Sequence, residues 1–248
     1  MTDPKRQAEV QRRYFEEADP ERFHWSVSGA GFAETEDELL APLLAAVQDP
    51  CLEVGCGEGN NLTRLLSCAP CVGVDLFTKK LSFAAREVPR ARLVTADASA
   101  LPFLDGAFAT VFIRDLLHHV PNPEATLSEA VRVLRPGGSL CLLEPNGRNP
   151  LIRLQTRLVP AEAGARRFGA DLIAGWLAAQ PLVDVRIAAS QPFPLRRLVL
   201  HYRFGLPSLG RYRLARQLLK AIEALLGKLL PRSCWSCVTA IARRRVPD

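Results

Sequence analysis

The sequence predicts an α/β fold with a doubly wound, mostly parallel sheet, and three observations carry that expectation. A short apolar run, Cys51-Leu52-Glu53-Val54, opens onto glycines at alternate positions, Gly55, Gly57 and Gly59, and a helical pattern begins at Leu62. Five strand-like runs in all alternate with helical segments, the arrangement that sets strands side by side in parallel with helices on both faces. Acids (Asp75, Asp97, Asp115) stand just beyond three of those runs, at the carboxyl ends where sheets of this kind hold their ligands.

Residues 5–18 read as a charged helix carrying Val10, Tyr14 and Phe15, and Asp19-Pro20 breaks it. From Phe23-His24-Trp25 to Gly31-Phe32 the chain is aromatic and aperiodic. Two readings stand for it, a loop tucked on the core or a lid over the ligand site. Thr35-Glu36-Asp37-Glu38 has the form of a capping box, a hydroxyl and a later carboxylate that each accept a backbone N–H, opening a helix over residues 39–47. Further strands are expected at 71–75, 91–95, 107–113 and 139–144. The helices between them start at Thr78, running to about Val88, and at Pro123, where Asn122 supplies the cap and proline takes the first helical position.

Beyond Glu144 the rhythm loosens. Residues 147–168 read as a Pro/Arg-containing connection, Asp171–Gln180 as a helix, Leu182–Ala188 as a sixth strand and Cys237–Ala242 as a seventh. The intervening residues 190–236 are too long for a hairpin loop. The chain is therefore read as one domain. Residues 1–48 form N-terminal helices and a lid, 49–146 a ligand-binding core, and 147–248 a substrate-side half with a basic helical insert at 191–236.

A chain of 248 residues, 48% apolar and 23% charged, has the size and balance of a soluble globular protein with a well-buried core. No run approaches the ~18 apolar residues of a membrane span, and the charged start shows no hydrophobic signal core. Seven scattered cysteines fit reduced thiols in a cytoplasm. The pairs Cys68-x-x-Cys71 and Cys234-x-x-Cys237 invite a zinc reading, but they lie far apart and each adjoins a strand, so buried apolar thiols and no metal are expected.

The glycine stretch decides between two cofactors. Glycine lets the backbone turn sharply and lets a ligand lie against the main chain. A dinucleotide site wants G-x-G-x-x-G with a pyrophosphate on the helix N-terminus, whereas Asn60 occupies the third-glycine slot here. Glu53 stands two positions before the first glycine, where it suits a cationic, amino-bearing ligand better than two phosphates. Asp75, 20 residues past Gly55, is placed to accept hydrogen bonds from ribose hydroxyls, and Asp97-Ala98 to read an adenine edge through a carboxylate and a backbone N–H.

Taken together, residues 51–144 resemble the core of the class I S-adenosylmethionine (SAM)-dependent methyltransferases, and most the small-molecule branch that includes quinone-biosynthesis enzymes. The matching pieces are Glu53-Val54-Gly55-Cys56-Gly57-Glu58-Gly59, Val74-Asp75, residues 96–103, Asp105-Gly106-Ala107-Phe108, Leu116-Leu117-His118-His119-Val120 and Val133-Leu134-Arg135-Pro136-Gly137-Gly138. The resemblance implies a Rossmann-like seven-stranded sheet whose last strand is antiparallel. It implies S-adenosyl-L-methionine as cofactor, with Glu53, Gly55, Cys56, Gly57 and Gly59 at the methionine part, Asp75 and Leu76 at the ribose, Asp97 and Ala98 at the adenine, and Arg114 against the methionine end. It does not reach residues 1–30 or 145–236.

Methyl transfer from a sulfonium is an in-line displacement, so alignment is the enzyme's main task. A base is needed only if the acceptor carries a proton. Asp115, His118 and His119 cluster where the acceptor is expected. Of the adjacent histidines one should face the pocket, His119 first and His118 second, and the third reading is that neither acts as base. Arg114-Asp115-Leu116-Leu117 replaces the Asn/Asp-Pro-Pro-aromatic stretch of enzymes that methylate exocyclic amines of nucleic-acid bases, which argues against that substrate.

The last informative stretch is basic. Residues 195–248 hold 12 Lys/Arg and 2 Asp/Glu, so the net charge of +6 resides in the C-terminal fifth. Within 211–230 Leu214, Ala215, Leu218, Leu219, Ile222, Leu225, Leu226, Leu229 and Leu230 are expected on one helical face and Arg211, Arg213, Arg216, Lys220 and Glu223 on the other, just after Arg196, Arg197, His201, Tyr202 and Arg203. Either that helix packs its apolar face on the domain, or it is a cap that meets an anionic membrane or a lipid-linked substrate; nucleic acid is the remaining reading, disfavoured because base-stacking aromatics are sparse. The expected function is methylation of a small, apolar or lipid-like acceptor at O or C. The competing readings are an NAD-linked oxidoreductase and a non-catalytic SAM-binding protein acting through its basic surface.

Overall fold

The computed structural model describes residues 4–22, 30–200 and 205–247. Seven strands form one sheet: β1 (Cys51–Val54), β2 (Cys71–Asp75), β3 (Arg92–Thr95), β4 (Phe108–Arg114), β5 (Leu134–Pro145), β6 (Leu182–Ser190) and β7 (Cys237–Arg244). Their order is β3-β2-β1-β4-β5-β7-β6. The first five pair in parallel, and β7 runs antiparallel between β5 and β6. The chain winds outward from β1 in both directions, which leaves a crevice at the carboxyl ends of β1 and β4.

Side chains alternate across a strand, and here the alternation separates two apolar layers. Leu52, Val54, Val111, Ile113, Leu140 and Leu142 pack in one with α5 (Pro123–Val133) and α7 (Ala170–Ala178). Cys51, Cys71, Phe112, Cys141, Leu143 and Cys237 pack in the other with α2 (Ala30–Leu44) and α3 (Leu62–Cys68). Four of the cysteines thus line one face of the sheet, where small apolar side chains let the helices approach closely. Cys68 is exposed and Cys234 half-buried.

Three expectations change. Thr35 does not cap a helix, because α2 begins at Ala30 and the Thr35 hydroxyl donates to the Gly31 carbonyl inside it (3.1 Å). The supposed cap acids are used elsewhere, Glu36 buried under an arginine and Glu38 on the surface with two cations. Ala30 to Phe32 are therefore helical, while residues 23–29, and with them the choice between loop and lid, lie outside the described residues. Second, the connection after β5 contains α6 (Pro150–Leu158), capped by Asn149, and a 3-10 stretch over Pro160–Arg167.

Third, the insert between β6 and β7 holds α8 (Leu195–Val199) and α9 (Arg213–Leu229), and α9 is mounted the opposite way round from the apolar packing first considered. Its buried residue is Glu223, while Leu214, Leu218, Leu225 and Leu229 face outward. His201, Tyr202 and Arg203 lie outside the described residues. The remaining helices are α1 (Pro4–Glu17) and α4 (Thr78–Glu87). Among the described residues no helix is long and apolar enough to cross a membrane.

Candidate active site

A cavity of about 440 Å³ opens at the carboxyl ends of β1 and β4, within the range of small-ligand sites. Its floor is the turn after β1. Gly55, Gly57 and Gly59 all have positive φ (77°, 51° and 84°), a region that L side chains rarely adopt. A Cβ at Gly57 would project into open space, with Lys80 Nζ the nearest atom at 4.0 Å, so the backbone there is bare toward the cavity. Asp75 holds the turn in place, since its Oδ2 accepts from the Gly57 N–H (2.8 Å) and its Oδ1 from the Phe77 N–H (2.9 Å).

Behind the glycines Glu53 is fully buried. Its Oε1 accepts from the Asn61 amide (2.7 Å), and its Oε2 has no hydrogen-bond partner among the described residues. Burial pushes its pKa up to about 8, with the Asp75 charge adding to the effect and Asn61 and Arg114 opposing it. Arg114 in turn donates to Asn61 Oδ1 (2.9 Å), to Asp115 Oδ2 (3.2 Å) and to Glu36. Glu36 also meets Arg197 Nε at 3.1 Å. Burial works against the Glu36 charge, but Arg114 and Arg197 outweigh it and lower its pKa. One network therefore ties the glycine turn to α2 below and α8 above.

On the acceptor side the two histidines separate sharply. His118 is buried between carboxylates, with Nδ1 2.6 Å from Glu144 Oε2 and Nε2 3.4 Å from Glu162 Oε2. Burial disfavours its charge, but Glu144 and then Glu162 override this and raise its pKa to about 10. It is an imidazolium with no lone pair to offer. His119 goes the other way: burial, then the His118 charge beside it, lowers its pKa to about 3. It is neutral, with Nδ1 3.4 Å from Gln11 Nε2 and Nε2 3.8 Å from Glu162 Oε1. The Phe15 ring meets it edge-on at 4.8 Å. Gln11 of α1 donates to the His118 and Ala161 carbonyls (3.1 and 3.0 Å), which pins α1 over the site.

The cavity wall unites Gly55, Cys56, Gly57, Asp75, Arg114, Asp115, His118 and His119 from the sequence-derived set. Glu53 and Gly59 stand behind it. Leu76, Asp97 and Ala98 are not part of the wall: Leu76 is exposed, and Asp97 Oδ1 accepts from the Ser99 N–H and hydroxyl, both at 2.7 Å. Sequence reasoning passed over Tyr14, Phe15, Lys80, Glu144, Glu162 and Arg197. Glu144 ends a strand, a signal that was there to use. Glu162 sits in a stretch without periodicity, which gave none.

Residues 52–142 match a family model described as a methyltransferase domain. Over that stretch the chain is similar to methyltransferases. It is 33% identical over 119 residues to a 27-O-demethylrifamycin SV methyltransferase of Amycolatopsis mediterranei, a match that covers 43% of this chain and 42% of that protein. It is 30% identical over 168 residues to phthiotriol/phenolphthiotriol dimycocerosates methyltransferase 1 of Mycobacterium ulcerans, covering 64% and 59% respectively. The chain thus spans about half the length of the curated relatives it matches. Among solved structures, phosphoethanolamine N-methyltransferase 2 of Haemonchus contortus in complex with S-adenosyl-L-methionine shares the fold with a TM-score of 0.68 at 18% identity, over 95% of this chain and 60% of that one.

The site fits S-adenosyl-L-methionine, the cofactor bound in that solved structure, on two observations of its own. The bare backbone at Gly57 offers a cradle that any side chain would fill. The unpartnered Glu53 Oε2, buried next to that cradle, is an acceptor for an ammonium group.

Proposed function

We propose that this chain transfers a methyl group from S-adenosyl-L-methionine to a hydroxyl oxygen of a small, apolar or lipid-like acceptor. When bound, the cofactor supplies an electrophilic methyl group on a sulfonium. Gly55, Cys56 and Gly57 bind its methionine part, Glu53 its ammonium and Asp75 its ribose, while Arg114 stays anchored to Glu36 and fixes the turn. Leu76, Asp97 and Ala98 belong to the same proposal, at the open rim where an adenine would lie.

The observation that carries the reading is His119, a neutral imidazole against Phe15 on the side of the cavity that Tyr14, Ile152 and Val159 also line. An apolar wall excludes water and selects an apolar acceptor. The unprotonated ring nitrogen of His119 accepts the acceptor's hydroxyl proton. Its low basicity suffices, because a hydroxyl that is gaining a methyl group becomes a strong acid. His118 does not share this role; as a fixed cation it keeps His119 neutral and holds Glu162 in place. The printed names of the relatives agree with oxygen as the site of attack, one containing an O-demethylated acceptor and the other a triol.

The test is turnover with labelled S-adenosyl-L-methionine on a panel of apolar alcohols and phenols, set beside calorimetric binding of S-adenosylhomocysteine and of NAD. His119→Ala is expected to lower kcat by about 10²–10⁴ with cofactor binding retained. Asp115 is the second candidate for the proton, since it lines the cavity with a left-handed backbone (φ 50°), a strained geometry that often marks a functional position. Full activity of His119→Ala together with an inactive Asp115→Asn would move the role to Asp115. Binding of NAD alone would overturn the methyltransferase reading.

A further inference from the structure

The outward face of α9 has no use in methyl transfer. Leu214, Leu218, Ile222, Leu225 and Leu229 recur at intervals of four, four, three and four residues, the spacing that makes one stripe on a helix. All five are exposed: Leu214 by 78%, Leu218 by 59%, Ile222 by 38%, Leu225 by 59% and Leu229 by 74%. A helix of 17 residues carries that stripe along about 25 Å. Leu206 and Tyr212, 61% and 65% exposed, continue the apolar surface before its first turn.

The polar face of the same helix is the one turned inward. Arg216 meets Glu34 at 2.9 Å, Lys220 meets Glu38 at 2.5 Å, and buried Glu223 is held by Arg196, which also meets Glu38 at 2.7 Å. These pairs hold α9 against α2 and α8 and fix which side faces out. A helix that only had to cover its own domain would bury the leucines and solvate the charges.

We infer that this stripe is a docking surface for an anionic lipid bilayer, in which α9 lies flat at the interface. Charge decides the occupant. Arg211 and Arg213 stand at one end of the stripe and Lys228 and Arg232 at the other, all exposed and without an ion-pair partner among the described residues. The one acid of the helix, Glu223, is buried and already paired. A second copy of the chain fits poorly, because both ends of the stripe are cationic. Parallel or antiparallel, two such helices would bring like charges together. An apolar stripe with cations at its margins matches an anionic headgroup layer above acyl chains, with the arginine and lysine stems reaching up to the phosphates.

The inference stands apart from the chemistry proposed above, since it concerns where the protein sits and not what it methylates. The experiment is flotation of the full chain with vesicles of phosphatidylcholine alone and of phosphatidylcholine mixed with phosphatidylglycerol. The wild type is expected to float with the mixed vesicles, and roughly tenfold less with the neutral ones. Leu218→Glu/Leu225→Glu, which alters exposed positions alone, should abolish flotation. The charge variant Arg213→Glu/Lys228→Glu should weaken it by at least about tenfold with the stripe intact.

Wild-type protein that stays at the bottom of the gradient with mixed vesicles overturns the inference. So does a leucine variant that floats as well as the wild type. Light scattering that shows a stable dimer, dispersed by the leucine substitutions, would assign the stripe to a second copy instead.

Discussion

If Glu53 receives the cofactor's ammonium as proposed, this single buried carboxylate makes cofactor affinity depend on pH. Glu53 has a pKa pushed up to about 8 by burial, so below that pH the free site holds a neutral acid. An ammonium ligand favours the ionised form, and binding therefore expels a proton. Affinity for S-adenosylhomocysteine is expected to rise between pH 6 and pH 8, with proton release detected by calorimetry in buffers of different ionisation enthalpy. Glu53→Gln keeps the shape and removes the charge. Its affinity at pH 8 should fall roughly ten- to hundredfold, the value of a charge-assisted hydrogen bond of about 1.5–3 kcal/mol, and its pH dependence should flatten. An unchanged profile in this variant would show that Glu53 does not meet the ligand. At this scale the place of the acid behind the glycine turn was legible in the sequence because it precedes the glycines at fixed spacing. The opposite charge states of His118 and His119 were not, because Glu144 and Glu162, which set them, come from residues 26 and 44 positions further along the chain.

At the level of elements, the acceptor half of the site depends on a close approach between chain segments. Gly164 lies in the 3-10 stretch that carries Glu162, and a Cβ there would stand 1.9 Å from the His118 carbonyl oxygen. Gly164→Ala must push that stretch off the turn after β4. The expected cost is about 1–3 kcal/mol of stability, as for other overpacked sites, read as a lower midpoint in chemical denaturation. The displaced Glu162 should also let His118 lose its proton more readily, so the alkaline loss of stability that this proton drives ends at a lower pH. The strands and the helices between them were legible because each is a short apolar run bounded by Gly, Pro or an acid, and burial on both faces demands that pattern. The region after β5 was not. Pro150 and Pro160 look like breakers in sequence, yet each sits in the first turn of a helical segment, where a missing N–H costs nothing. The Thr35 box misled for a related reason: its hydroxyl is satisfied within a helix that had already begun, and its acids answer to Arg114, Arg196 and Lys220 from distant parts of the chain.

For the whole molecule the buried titratable groups together set a stability profile. His118 is raised from 6.5 to about 10, so its contribution is complete below pH 6.5 and is lost as pH climbs toward 10. Glu53, raised from 4.5 to about 8, acts in the same direction between those values, because the folded chain holds a proton there that the unfolded chain releases. His119, lowered from 6.5 to about 3, acts oppositely: the unfolded chain takes up a proton below pH 6.5, and stability falls with pH. Between pH 4.5 and 6.5 the slopes of Glu53 and His119 oppose each other, with Glu58 and Glu223, both raised by burial, adding to that of Glu53 at the acid end, which gives a near-plateau above it. From pH 6.5 to 8 His118 and Glu53 add, each by about 1.4 kcal/mol per pH unit, between pH 8 and 9 His118 continues, and above pH 9 the buried thiols of Cys51, Cys56, Cys141 and Cys237, all raised, add to the loss. The melting temperature should therefore change little across the plateau, fall steeply just above neutrality and fall less steeply between pH 8 and 9, before the buried thiols add to the loss. Saturating S-adenosylhomocysteine should protect more at pH 8 than at pH 6, since its ammonium meets an ionised Glu53. In Glu53→Gln the steep segment should lose about half its slope while the loss between pH 8 and 9 persists, because that part belongs to the proton held between Glu144 and Glu162. A melting temperature that rises through this range, in either protein, would mean that His118 is neutral in the folded state and that His119 is not kept free for the acceptor by its charge.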